Sequence, residues 1–180
     1  MENQFKEISK VLISAEELDG ITTDIAARVS RDYKGKNLVV LGILKGSVLF
    51  MCDLMRKLTI PAEIEFMKVS SYGAGTVSSG ELKIHLDVLR KDLSSCDVLV
   101  VEDIIDSGRT LSKVVEHLKN LGARSVKTVT LLDKPSRREV SFTPDYVGRE
   151  IPDYFVVGYG LDYDEKYRTL PFIGIPDFAL

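Results

Sequence analysis

Leu18, Ile21, Ile25 and Val29 recur at helical intervals behind Ser14 and Glu17, whose spacing is that of a capping box, and this predicts a helix over 15–32. NLVVLGI at 37–43 is apolar without alternation and rich in branched side chains, which suits a strand buried on both faces. Helical spacing resumes over 46–58, GSVLFMCDLMRKL, and stops before Pro61. Residues 62–70 alternate at Ile64 and Phe66 and read as a strand. The next segment, SSYGAGTVSSG at 70–80, has four Ser, three Gly and no charge, so it offers a core little to hold and predicts a mobile loop. ELKIHLDV at 81–88 reads as a strand returning from it.

CDVLVVEDI at 96–104 is the clearest buried strand. The helix expected after it carries Leu111, Val114, Val115, Leu118 and Leu121 on one stripe, with Gly122 placed for a left-handed cap. SVKTVTLLD at 125–133 supplies a further strand, and YFVVGY at 154–159 a short one. Strands alternating with helices specify an α/β fold with a mostly parallel, twisted sheet flanked by helices. Five of the six prolines fall beyond residue 134, and this last third, with other segments distant in sequence, predicts a small cap built from the terminal segments. At 180 residues the chain is expected to form a single domain, 1–180, with a lid loop at about 70–80.

Composition narrows the function classes. The 24 basic residues against 27 acidic ones leave a net charge of −3, without the basic excess that binding to a phosphate backbone requires. Apolar runs fall far short of a membrane span, and the N-terminal residues lack the apolar stretch of a secretory signal, so a cytoplasmic protein is expected. Cys52 and Cys96 are the only cysteines; Cys52 lies within VLFMCDLM, and a buried, reduced thiol is expected there rather than a disulfide. His85 and His117 are spaced too far apart for a zinc motif and read as structural.

Chemistry concentrates in VEDIIDSGRT, residues 101–110, where a buried strand ends in Glu102 and Asp103, turns through Asp106, Ser107 and Gly108, and enters a helix. Ligands of open parallel sheets bind at that end. Amides freed at Ser107, Gly108, Arg109 and Thr110 favour an anion, which makes the turn a phosphate cradle. The alternative is that Asp106 or Ser107 only caps the helix while the acids face water. Adjacent strand residues point to opposite faces, so one of Glu102 and Asp103 is expected to be structural unless the strand has already turned. Carboxylates beside a phosphate repel it unless they address hydroxyls or a magnesium ion, and that combination suggests a ribose phosphate. GILKGS at 42–47 has its lysine before the second glycine, which is not Walker spacing, and GAGTVS at 73–78 opens no helix.

VEDIIDSGRT is similar to the signature of the type I phosphoribosyltransferases. With LKGS near residue 45, DKPSR at 133–137 and YFVVGYGLDYDEKYR at 154–168, the chain resembles the bacterial hypoxanthine-guanine branch of that family. The resemblance implies transfer of a ribosyl 5-phosphate from phosphoribosyl pyrophosphate to a 6-oxopurine base, giving a nucleotide product (IMP or GMP) and pyrophosphate. It places the 5-phosphate on Asp106 to Thr110, next to Ile104 and Ile105, with Asp106 also the general base. It puts the ribose hydroxyls on Glu102 and Asp103 near Mg2+, with Asp162 as a further metal contact.

By the same resemblance Lys134 donates to the 6-oxo group, Phe155 stacks on the base, and Val156 and Asp162 face the edge bearing guanine's 2-amino group. Lys45, Gly46 and Arg168 bind pyrophosphate, with a cis bond expected between Lys45 and Gly46. Ser71 and Tyr72 belong to the lid, and Arg137 completes its motif without an assigned role. Position 109 is Arg where many relatives carry Lys, at a place that uses mainly its backbone amide. A homodimer or homotetramer is implied. Two alternatives stand beside this reading. One is a regulatory protein of the same fold that senses the ribose phosphate; the other is the same reaction on a pyrimidine.

Overall fold

The computed structural model describes residues 7–71 and 82–179. Six strands form the main sheet: β2 (Leu38–Ile43), β3 (Glu63–Ser71), β4 (Leu82–Leu86), β5 (Asp97–Ile105), β6 (Ser125–Asp133) and β7 (Tyr146–Glu150), in the order β4-β3-β2-β5-β6-β7. All neighbouring pairs are parallel except β3 with β4. Every residue of β2 is buried, as the unalternating run requires of a strand covered on both faces.

Helix α1 (Ala15–Asp32) begins at Ser14, whose Oγ accepts from Glu17 N at 3.2 Å while Ser14 N donates to Glu17 Oε2 at 2.8 Å. Helix α1 packs on α2 (Val48–Lys57), and Leu18, Ile25, Val29, Phe50 and Leu54 join Val40, Leu99 and Leu131 of the sheet in one core. On the second face α3 (Arg109–Asn120) sets Leu111, Val114 and Leu118 against Leu41, Val98 and Val100. Leu121, placed on the α3 stripe by its spacing, is 45% exposed instead, because the helix has already ended and Gly122 turns the chain with φ +88°.

A second, two-stranded sheet joins β1 (Ile8–Ile13) antiparallel to β8 (Ile173–Pro176), so the two ends of the chain meet in the cap. YFVVGY is not a strand: it makes only isolated bridges, Val157 to Gly174 and Gly158 to Leu161, because Gly158 and Tyr159 adopt φ of 102° and 50°, which break an extended run. Its core partners are nevertheless cap residues, with Val157, Tyr167 and Leu170 clustered together. Cys96 is buried as a small apolar residue would be, but Cys52 is exposed, since the buried stripe of α2 runs through Phe50, Met51 and Leu54 and leaves position 52 outside it. None of the described helices is long and apolar enough to cross a membrane.

Strand order places the site. From β2 the chain crosses to β3 on one side, and from β5 to β6 and β7 on the other, so the order reverses between β2 and β5. The carboxyl ends of these two strands open a crevice.

Ser14→Ala removes one half of the reciprocal cap and is expected to lower stability by about 1 kcal/mol. A urea titration should show a lower midpoint with an unchanged slope; an unmoved midpoint would mean that tertiary packing alone holds the start of α1.

Candidate active site

Two adjoining cavities lie at the β2/β5 boundary. The larger, about 360 Å³, is lined by Lys45 and Gly46 after β2, Glu102, Asp103 and Thr110 from β5 and α3, and Asp162 and Arg168 from the cap. The smaller, about 130 Å³, is lined by Ile104, Ile105, Asp106, Ser107 and Gly108, and shares Glu102 and Thr110 with the first. Glu102 and Asp103 therefore reach the same cleft, against the alternation rule, because the cavity spans the end of the strand and takes in both of its faces.

Neither carboxylate has a salt-bridge partner among the described residues. Glu102 Oε2 is buried with no hydrogen-bond partner, and burial, reinforced by the charge of Asp103, holds its carboxyl well above the ordinary range. Burial likewise pushes Asp103 up to about 6, although its Oδ1 accepts from Ile104 N at 2.9 Å. Gly46 is required beside it: a Cβ there would lie 1.7 Å from Asp103 Oδ2. Gly160, at φ +100°, closes on Gly46 from the other side, where a Cβ would lie 2.0 Å from the Gly46 carbonyl oxygen. The cis peptide of this loop precedes Lys45, joining Leu44 to Lys45, and not Lys45 to Gly46 as the resemblance implied; no proline marks the position in sequence.

The turn into α3 has the glycine-led geometry that the motif predicts. Gly108 is the N-cap of α3 at φ +80° and has no side chain to offer the freed amides. Arg109 N reaches Ser107 Oγ at a long 3.3 Å, and Ser112 N is already bonded to Gly108 O at 3.0 Å. Asp106 does not cap this helix. Its Oδ1 is buried without a hydrogen-bond partner and lies 3.7 Å from Lys134 Nζ. With its first turn free of acids, α3 presents its positive end to the smaller cavity, whose wall also holds Glu102 and Asp106.

Lys134 is buried at the end of β6, between Asp106 and Asp153, the latter at 3.6 Å. Arg137 pairs with Asp153 at 3.5 Å, which gives it a place in this network. Phe155 is 45% exposed and meets Tyr163 edge to face at a centroid distance of 5.8 Å, while Val156 is buried. Asp162 is held by Arg168 Nη2 at 2.8 Å, and Arg168 Nη1 donates to Gly160 O at 2.7 Å. Ser71 is the last residue of β3, and Tyr72, with almost all of the expected lid, lies outside the described residues. Three acids line the larger cavity, but no group of three His, Cys, Asp or Glu among the described residues is arranged to hold a metal by itself. His85 and His117 are structural in the sense expected: one bonds Ser70, and the other pairs with Asp87.

Sequence reasoning missed Arg138. Its guanidinium donates to the Asp106 carbonyl and to Asp133, fastening the cradle to the end of β6, and its Cδ lies against Gly108. An arginine one residue past a known motif carries no spacing signal of its own.

Comparison with known proteins gives a consistent picture. Residues 13–164 match the family model described as a phosphoribosyl transferase domain. A bifunctional protein TilS/HprT of Listeria innocua is 52% identical over 97% of the chain, which spans only 27% of that relative. A hypoxanthine-guanine phosphoribosyltransferase of Staphylococcus aureus is 48% identical, with 97% of this chain and 95% of that protein covered. A crystal structure of a Staphylococcus aureus hypoxanthine phosphoribosyltransferase superposes with a TM-score of 0.92 at 45% identity, covering 98% of this chain and 96% of the other.

The raised Asp103 carboxyl has a measurable consequence. The fold favours its protonated form, so this contribution to stability is complete below the ordinary value of 3.8 and is lost as pH rises through about 6. At pH 7.5 the buried carboxylate then costs on the order of 1–3 kcal/mol. Asp103→Asn, which keeps the shape without the charge, is expected to raise Tm by several degrees at pH 7.5 and by almost nothing at pH 4. A gain independent of pH would show that charge burial is not the cause.

Proposed function

The chain belongs to the phosphoribosyl transferase family, and from that premise we propose that it salvages purines, moving the 5-phosphoribosyl group of phosphoribosyl pyrophosphate onto hypoxanthine or guanine with release of pyrophosphate. The observation that carries this reading is the pair formed by Lys134 and Asp106, a buried cation 3.7 Å from a carboxylate oxygen without a hydrogen-bond partner, at the ends of adjacent strands beside the phosphate cradle. On a 6-oxopurine the exocyclic oxygen and the ring N7–H are neighbours. Lys134 donates to the first and Asp106 accepts from the second. Adenine offers an amino group in place of the oxygen, and two donors facing each other reject it.

Within this reading the amides from Ser107 to Thr110 hold the 5-phosphate, Glu102 and Asp103 orient the ribose hydroxyls, and Lys45 with Arg168 takes the pyrophosphate. Ile104 and Ile105 wall the smaller cavity, Gly46 lets the loop pass close to Asp103, and Phe155 stacks on the base with Val156 and Asp162 along its edge. As the base attacks the anomeric carbon, its N7 proton becomes acidic and passes to Asp106, which needs to be only a modest base because it is already in place. Ser71 and Tyr72 belong, by resemblance, to the lid that keeps water from the electron-poor sugar carbon.

Mg2+ fits the larger cavity, where Glu102, Asp103 and Asp162 supply the hard oxygen ligands that this ion shares with substrate phosphates rather than a closed protein cage. Bound there, it would neutralise pyrophosphate charge. The orphaned Glu102 Oε2 supports that assignment. A cytoplasmic homodimer or homotetramer follows from the resemblance. Exposed Leu49 and Cys52 on α2 border a cavity of about 320 Å³ and support a further contact surface.

The test is nucleotide formation from phosphoribosyl pyrophosphate and magnesium with hypoxanthine, guanine, xanthine, adenine and uracil supplied one at a time. Turnover with the oxopurines and not with adenine or uracil is expected; failure with every purine would sink the proposal. Asp106→Asn should lower kcat about a hundredfold or more while nucleotide product still binds. Full turnover by that variant would assign the proton to another group.

A further inference from the structure

Glu165 has no part in the reaction described above, yet its carboxylate sits between the two cations assigned to pyrophosphate. Its Oε1 takes Lys45 Nζ at 3.0 Å and its Oε2 takes Arg168 Nη2 at 3.3 Å. Lys45 and Arg168 arrive from opposite ends of the chain, one from the loop after β2 and the other from the cap. A single acidic side chain therefore bridges them as a bidentate anion would.

The surrounding loop is shaped to hold that carboxylate in place. Glu165 N donates to Asp162 Oδ2 at 3.0 Å, and Asp162 Oδ1 in turn receives Arg168 Nη2 at 2.8 Å. Asp164, Glu165 and Tyr167 adopt φ of 51°, 61° and 72°, although none of them is Gly or Asn. Such left-handed conformations persist only where the surroundings enforce them, and they cluster at ligand clamps. Lys45 and Glu165 have side chains 51% and 62% exposed, so the bridge is made of groups that water can reach and an arriving ligand can exchange.

We propose that Glu165 is a built-in competitor for the pyrophosphate group: it neutralises Lys45 and Arg168 in the empty site, keeps them converged, and gives way when the anion arrives. This rests on the reading of Lys45 and Arg168 as the pyrophosphate contacts. Before release the departing anion shares its two cations with an acid that is tethered beside them, so Glu165 opposes tight retention of product as well as binding. Carboxylate and pyrophosphate oxygens present the same acceptor geometry to a guanidinium fork, which is why one can stand in for the other.

The experiment is calorimetric titration of inorganic pyrophosphate with magnesium into the whole protein and into Glu165→Gln, which keeps the size and loses the charge. Affinity is expected to rise about two- to tenfold in the variant, the range that a partly exposed charge pair supports, with KM for phosphoribosyl pyrophosphate falling in parallel and KM for the purine unchanged. Glu165→Asp, too short to span both cations but still charged, should lie between the two. Equal or weaker pyrophosphate binding by Glu165→Gln, in a variant whose Tm matches the parent, overturns the competition. Should Glu165→Gln not fold, Glu165→Asp decides alone, and parent-like affinity in it overturns the proposal. If neither parent nor variants bind pyrophosphate, the assignment of the cleft itself fails and the competition with it; loss of binding in Lys45→Gln against a binding parent confines any failure to Glu165.

Discussion

Charge that the protein cannot satisfy by itself is concentrated where the strand order reverses. Glu102 and Asp103 are desolvated without cationic partners of their own, and the head of α3 has neither a side-chain cap nor an acid in its first turn. In an ordinary domain each of these defects would be removed, since an unpaired buried carboxylate and an uncapped helix both cost free energy. The fold tolerates them because β5, which carries the carboxylates and leads into α3, is buried over its first five residues and lies beside the fully buried β2, between two apolar clusters. Apolar packing at the centre offsets the cost of leaving its own edge unsatisfied.

Register turns this edge into chemistry. β5 and β6 pair in parallel with Ile105 opposite Asp133, and Lys134 N donates to Ile105 O at 3.0 Å. The residues that follow each strand, Asp106 and Lys134, are thereby brought side by side. A slip of one residue between these strands would send one of the pair to the opposite face. Arg138 then fixes the turn itself by bonding the Asp106 carbonyl and Asp133, which ties that turn to the strand that leads into Lys134. Backbone pairing and one half-buried guanidinium thus set a distance that a loop on its own could not hold.

The sheet and its helices were legible in the sequence because their signals are local. The Ser14 and Glu17 spacing, the run at 37–43 and the strand at 125–133 each specify an element within a window of a few residues. The cap was only half legible. Its central pairing, β1 with β8, joins residues more than 150 positions apart, and nothing in either short segment announces the other. β7 was missed because five residues reading YVGRE show neither alternation nor an apolar run. Glu102, Asp103, Asp106 and Lys134 stood out because motif residues fall at strand ends. Gly160, Glu165 and Arg138 did not, since their roles arise from contacts across the cleft that no spacing encodes.

The two anion positions consequently differ in kind. The turn at α3 offers neutral amides and a helix dipole, so its attraction for a phosphate is set chiefly by backbone geometry, against the Glu102 and Asp106 carboxyls on the same wall. The position at Lys45 and Arg168 is a balance among ionised groups, with Asp162 and Glu165 already engaging the cations and Glu102 and Asp103 on the adjoining wall. Asp162 and Glu165 already offset the two cations, while burial drives Glu102 and Asp103 towards their protonated forms, so binding of a bare polyanion there depends on what accompanies it. One end of the site grips through structure that is always present, while the other responds to charge, and that asymmetry suits a reaction in which the first anion stays with the product and the second must leave.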